Sequence, residues 1–308
     1  MARRSNLNPR HDKPLALLTA ALAVLLLLAA CAPGARMLAA PTFTVDAANS
    51  GFVRVDPPGI GDGTASFRVA LRVENPNPFA IKLAALDGDL FLQNARAAAL
   101  SFRGGIDVPA GGNAPLLLDV KVPLGAAPTL LETISGLVGG TGVSYRLEAS
   151  VGVELLGTVQ RFPRFTLAEG AVDTRLALSA PRVSLSGSEL RFESVNSVML
   201  ALDITLQNPG IVGYRVSAPE LVLQVAGQEA ARGSLTDVAV PAGGSSAARV
   251  SFRFDPLRLG AALVAQVQSA AAGVGGLSVA LSGAWSLEAP GIAALTLQPS
   301  RLLETVVR

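Results

Sequence analysis

RVENPNPFAIKL, residues 72–83, carries a strand-like alternation into Asn75-Pro76-Asn77-Pro78 and then resumes as apolar chain. Upstream, Phe67, Val69, Leu71 and Val73 alternate with Arg68, Ala70, Arg72 and Glu74, the period-two pattern of a strand with one packed face and one wet face. Two prolines should stop such a strand, because each lacks an amide hydrogen for the ladder and pushes its predecessor towards extended geometry. Asn can bond its own backbone two residues on and tolerates left-handed angles, so Asn-Pro-Asn-Pro reads as a tight exit from a strand. A ligand contact by Asn75 or Asn77 is the other reading.

The stretch has a counterpart. Leu200, Leu202, Ile204 and Leu206 alternate with Ala201, Asp203, Thr205 and Gln207, and Asn208-Pro209 follows, all 133 residues after the first set. Gly210 stands where the first copy has Asn77, which still suits a turn. Tyr214-Arg215-Val216 keeps the offset from Ile81-Lys82-Leu83, and VPAGG occurs identically at 108–112 and 240–244. Self-similarity at a fixed period is the mark of a repeated structural unit.

A helical signal repeats as well. Leu130, Leu131, Ile134, Leu137 and Val138 share one helix face, and Leu263, Val264, Val267, Ala270 and Ala271 repeat it 133 residues on. Glycines follow each, and alternating segments resume at Val143 and Leu277. Several short strands per ~130 residues with Gly/Pro turns predict an all-β, mainly antiparallel sandwich of immunoglobulin or fibronectin type, with one short helix per domain and two tandem domains. The expected layout is a first domain at 41–170, a linker at 171–180 and a second domain at 181–303. A parallel α/β fold would need helices between its strands, and one per repeat is too few.

Residues 1–30 have the three-part layout of a secretory signal: Arg3, Arg4, Arg10 and Lys13, then an uncharged apolar run of 16 residues from Leu15 to Ala30, then Cys31. The run is short of the ~20 residues of a spanning helix, although length alone leaves an uncleaved anchor open. Leu28-Ala29-Ala30-Cys31 resembles the bacterial lipoprotein signal, in which the Cys becomes the lipidated first residue. The alternative is a free buried thiol. The resemblance implies export, residues 31–40 as a tether, and a lipid bilayer as partner through acylated Cys31. With Ala32 next, it also implies sorting to the outer membrane if the host has one.

The whole chain has 25 Lys+Arg and 23 Asp+Glu, but four of those bases and Asp12 lie in the leader, leaving 21 minus 22, or −1, for residues 31–308. A near-neutral mature chain without basic patches gives nucleic acid no electrostatic footprint. Half of the residues are hydrophobic and 16% are charged, an excess read as core. With Cys31 the only cysteine, no internal disulfide can form.

Catalytic chemistry finds little material. The only histidine, His11, is in the leader, which removes Ser-His-Asp and Cys-His arrangements and His/Cys zinc sites from the mature chain. No phosphate-binding or dinucleotide-binding glycine motif follows a strand, so no cofactor is expected. Asp87-Gly88-Asp89 reads as a hairpin turn between apolar segments. The same pair could offer oxygens to calcium, but the further ligands of a calcium loop do not follow. A hydrolase needing only two carboxylates in a cleft stays open in principle. Trp285, Tyr145 and Tyr214 fall within strand patterns and are expected in the core or on a sheet surface.

The combination of motifs is less generic than any turn. A strand ending in Val73-Glu74-Asn75-Pro76-Asn77-Pro78, an amphipathic strand, a VPAGG turn and a strand ending near Pro123 resemble the type 2 late embryogenesis abundant family, which carries the water-stress and hypersensitive-response domain. Leu206-Gln207-Asn208-Pro209 repeats the signature more weakly, departing at Gly210 and Ile211. The resemblance implies an antiparallel sandwich with one helix, a role in desiccation and other stress, protection of partially unfolded client proteins, and no catalytic residues. The expected function is a membrane-tethered, non-enzymatic protector of envelope proteins or membrane. The alternative is an envelope assembly or transport lipoprotein that binds a partner protein or an apolar ligand.

Overall fold

The computed structural model describes residues 38–125, 128–138, 140–172 and 176–307. The leader and Leu28, Ala29, Ala30 and Cys31 lie outside the described residues. The first half comprises β1 (Thr42–Val45), β2 (Gly51–Val55), β3 (Thr64–Glu74), β4 (Ile81–Leu92), β5 (Ala95–Phe102), β6 (Ile106–Val108), β7 (Asn113–Pro123), α1 (Pro128–Val138), β8 (Val143–Leu155) and β9 (Thr158–Val172). The second comprises β10 (Arg182–Ser194), β11 (Ser197–Gln207), β12 (Tyr214–Val225), β13 (Gln228–Val240), β14 (Ser245–Phe254), α2 (Ala261–Ala271), β15 (Leu277–Gly283), β16 (Ser286–Ala289), β17 (Ala293–Thr296) and β18 (Ser300–Val307).

Each half pairs two antiparallel sheets. In the first, β3 has β1 and β2 on one edge and β7 on the other, while β4 and β8 form the centre of a sheet edged by β5, β6 and β9. In the second, β10-β11-β14 forms one sheet, and β12 joins β13 on one side and β15 and β16 on the other, with β17 and β18 beyond. The registers correspond: Phe67 faces Val120 as Leu200 faces Phe252, and Leu90 faces Leu147 as Leu223 faces Leu281. The fold is all-β and antiparallel, as the alternation predicts.

Alternation decides which face is buried. On β7, Ala114, Leu116, Leu118, Val120 and Val122 point inward and the residues between them are exposed. Phe67 is fully buried at the centre of the first half, with the Phe52 ring edge-on at 5.0 Å and Tyr145 at 5.6 Å. Both helices form over the spacing that predicts them, burying Leu130, Ile134 and Leu137 in one and Leu263, Val267 and Ala270 in the other. Tyr214 and Trp285 are core residues as well, Trp285 in the break between β15 and β16.

One expectation fails. Asp87-Gly88-Asp89 is not a hairpin turn but the middle of β4, paired on both sides, with Gly88 opposite Leu100 of β5 and Ala149 of β8. A Cβ at Gly88 would run into the Glu148 carbonyl and lie 2.5 Å from the Ala149 Cβ, so glycine is there for close backbone approach inside a sheet. The flanking aspartates sit on the outer face, where arginines from neighbouring strands neutralise them.

Candidate functional site: the strand corners and the junction they build

The Asn-Pro segments are corners at which the chain changes sheets, from β3 to β4 and from β11 to β12. In each, the Asn side-chain oxygen accepts from the backbone two residues on: Asn77 N–H to Asn75 Oδ1 at 2.9 Å, and Gly210 N–H to Asn208 Oδ1 at 2.8 Å. The side-chain amides then donate across the corner, Asn75 Nδ2 to the Phe79 carbonyl and Asn208 Nδ2 to the Val212 carbonyl, both at 2.8 Å. Asn75, Asn77 and Asn208 are buried, while Pro76, Pro78 and Pro209 face solvent, where their missing amide hydrogens cost nothing.

Each corner is clasped by the VPAGG turn of its own half, where the chain crosses back to the first sheet. Asn75 N–H donates to Gly112 O and Gly111 N–H to Asn77 O, both at 2.9 Å; Asn208 N–H donates to Gly244 O and Gly243 N–H to Gly210 O, also at 2.9 Å. Gly111 and Gly243 hold φ of 59° and 62°, a left-handed geometry that glycine adopts without strain. In the first half Asn75 Nδ2 adds a bond to the Pro109 carbonyl at 2.9 Å. The two motifs are therefore one structure, the paired crossovers that join the two sheets.

What covers each corner differs. In the first half Asn77 grips the backbone of Ala39, accepting from its N–H at 2.9 Å and donating to its carbonyl at 3.0 Å. In the second, Ser179 packs where a side chain on Gly210 would be. Beyond it lies a segment of the other half. Val55 donates its N–H to Ile211 O and accepts from Gly213 N–H, both at 2.7 Å, a parallel bridge across the halves. Asp56, with no exposed surface, then accepts from Ala242 N–H at 2.8 Å and from Arg54 Nε at 2.6 Å. The bond to Ala242 docks an acidic side chain of one half on the VPAGG turn of the other.

Gly213 is what admits it. A Cβ there would stand 2.5 Å from Asp56 Oδ1 and 2.9 Å from Ile60 Cγ2, and Ile60 is fully buried. The first half has Ala80 at the corresponding position. Sequence reasoning missed Asp56, since Asp before Pro-Pro-Gly looks like solvent-facing loop. The usable signal was the exchange of Ala80 for Gly213 within an otherwise matched pattern.

The outer face of β4 carries the other cluster of ionisable groups. Asp87 pairs with Arg103 and lies 3.9 Å from Arg161; Asp89 pairs with Arg164 and with Arg96, the latter at 2.6 Å. The Arg146 guanidinium lies 5.1 Å above the Phe91 ring, continuing the row. Burial pushes the Asp89 carboxyl up, and the hydrogen bonds and charges of Arg96 and Arg164 more than offset it, holding the group below the usual carboxylate range. An aspartate so neutralised serves as a structural anion. Among the described residues no group of three or more His, Cys, Asp or Glu is placed to hold a metal ion.

Comparisons with known proteins add a family. No curated protein matches the chain. Solved structures similar to it include a protein from Archaeoglobus fulgidus (13% identity, covering 46% of this chain and 99% of that one, TM-score 0.28). They also include red sea bream transglutaminase (11%, 85% and 31%, TM-score 0.28) and the CupB6 tip adhesin from Pseudomonas aeruginosa (13%, 81% and 94%, TM-score 0.25). A family model described as "Late embryogenesis abundant protein" matches residues 70–163, from the middle of β3 into β9, and so includes the first corner with its VPAGG clasp. Over those residues the first half matches the type 2 late embryogenesis abundant family.

Proposed function

We propose that the protein is a membrane-tethered, non-enzymatic stress protein built from two tandem domains of this family, one at 41–170 and one at 181–303, that stabilises envelope proteins or membrane during water loss. The family match over residues 70–163 carries the proposal. The corresponding registers and paired corners of the two halves support reading the second as a diverged copy. Support for the tether comes from the leader and from Leu28-Ala29-Ala30-Cys31, which fit export and lipidation at Cys31, with retention at the outer membrane if the host has one. Among the described residues no helix is long and apolar enough to cross a membrane.

The mechanism in this reading is weak, multivalent contact. Sheet faces studded with paired arginines and carboxylates offer partially unfolded clients or lipid head groups many weak polar contacts as water is withdrawn. Drying a labile enzyme with the mature chain should preserve more activity than drying it with an inert protein of equal mass. Equal losses would remove the protective role. Stable co-purification of one membrane complex or one lipid would replace it with assembly or transport. The anchor has its own test: Cys31→Ala should abolish palmitate labelling and membrane retention, and a variant that still takes label overturns lipidation at Cys31.

A further inference from the structure

The halves stack head to tail, so one corner end is covered and the other, among the described residues, is open. In the second half Val212, Gly213 and Ala242 are buried under the segment from Val55 to Ile60. At the same end, the Ile292 carbonyl accepts from Ser135 Oγ of α1 at 3.1 Å. In the first half Pro78, Ala80, Pro109 and Ala110 are exposed in the matching places. Because the start of β4 lies against the end of β8, Lys82 opposite Glu154, the hairpin between β8 and β9 projects at this end too. The first described residues arrive here as well: Leu38 lines a groove of about 440 Å³ with Leu155, Thr158, Gln160 and Phe162.

The apex of that hairpin carries a large apolar side chain on a left-handed residue. Leu156 and Gly157 both have positive φ, 53° and 78°. Tight hairpins of this kind favour Asn, Asp or Gly at the first position, and a left-handed leucine is strained. Two other hairpins of the chain use Gln93-Asn94 and Ala226-Gly227 with the same signs of φ. Leu156 is 97% exposed, so within the chain its side chain returns nothing for that strain. Beside it Val159 is 46% exposed, between the polar Thr158 and Gln160, and Lys82 and Glu154 pair with each other at 3.6 Å.

We infer that this open end rests on a lipid bilayer, with Leu156 inserted at the boundary between head groups and acyl chains. The inference rests on the reading that Cys31 is acylated. Seven residue steps separate Cys31 from Leu38, a reach of about 25 Å at full extension, so an acylated Cys31 holds this end, rather than the far one, at the membrane. A second copy of the chain is disfavoured as occupant. The segment that fills the other corner is already bound within its own chain, the second half has only the short β10–β11 hairpin in its place, and Ala80 sets a methyl group where the Asp56 carboxylate would need Gly213.

The test uses the full chain, expressed with its leader and reconstituted in vesicles of phosphatidylethanolamine and phosphatidylglycerol brominated on the acyl chains. Leu156→Trp and Val159→Trp place an indole reporter on the hairpin; Val274→Trp places one after α2, at the far end, on a side chain 84% exposed. The native Trp285 is buried and gives a constant background. Apolar groups at a bilayer surface sit about 5–10 Å into the head-group and acyl boundary. The reporter at position 156 should therefore shift to the blue and lose most of its emission, the one at position 159 should follow to a lesser degree, and the one at position 274 should do neither. Hairpin reporters quenched no more than the far-end reporter, in chains that carry palmitate label and float with the vesicles, overturn the bilayer contact and leave the anchor standing. A chain without label that stays in the soluble fraction overturns the anchor and the contact with it. A signal from position 156 that shifts with protein concentration and is not quenched assigns the end to a second copy and overturns the proposal.

Discussion

Asn75 shows how much one amide can hold. Its oxygen fixes the turn through Asn77 N–H, and its nitrogen bonds the Phe79 carbonyl inside the corner and the Pro109 carbonyl of the VPAGG turn. Asn75→Ala strands several buried partners, each worth about 1–3 kcal/mol when left unsatisfied, so a loss on the order of 3 kcal/mol is expected in urea unfolding. Asn77→Gly, which copies the residue present at position 210, keeps the Asn75 turn and loses the grip on Ala39. It should cost about 1 kcal/mol, and equal losses from the two variants would refute this division of labour. The local turn was legible in the sequence, because an Asx turn is chemistry between residues two apart. The clasp with VPAGG was not, since it joins backbone groups more than 30 residues apart and the hydrogen bonds carry no side-chain signature on the VPAGG side.

At the scale of the element, β4 was legible as a strand from its flanks and misread at its centre. Asp-Gly is a turn signal when the chain must reverse, but here both strand edges are paired, and the arginines that neutralise the aspartates come from positions 96, 103, 161 and 164. Pairing of that range has no local pattern, whereas an isolated glycine between alternating residues could have suggested close approach. Gly88→Ala must displace the β8 backbone at Glu148 and Ala149, and a loss of at least about 2 kcal/mol is expected; an unchanged urea midpoint would show that the sheet yields freely there. Asp89 links the same strand to pH. Its folded pKa lies below the ordinary value, so its contribution is complete above the unfolded carboxylate range near about 4 and is lost as the pH falls through the folded value. The stability gap between the protein and Asp89→Asn should therefore hold steady from about pH 7 to 5 and close only below about pH 4. A gap that closes near neutrality would mean that Arg96 and Arg164 do not set the ionisation of this group.

For the whole molecule the decisive contact is the one between halves. Two sheets per half and one helix each could be read from spacing, but their stacking depends on Asp56, whose carboxylate crosses to Ala242, and on Gly213, which leaves room for it. If this junction makes the two halves one cooperative unit, the chain unfolds in a single calorimetric transition with equal van't Hoff and calorimetric enthalpies. Asp56→Ala leaves the Ala242 amide and the Arg54 guanidinium without their partner and should split that transition in two, the halves unfolding separately. Gly213→Ala attacks the same junction from the other side, driving a methyl group against Asp56 and Ile60, and should split the transition as well. The double variant decides whether the clash with the carboxylate is the mechanism. With Asp56 shortened to Ala, the methyl at position 213 loses its worst neighbour, so the two effects should sum to more than the double variant shows, by an interaction of about 1 kcal/mol or more. Strict additivity would place the strain of Gly213→Ala on Ile60 and the Ala242 backbone, and a single transition retained in all three variants would mean that the halves are coupled through the Val55 backbone bridge and the contact of α1 with Ile292 rather than through Asp56.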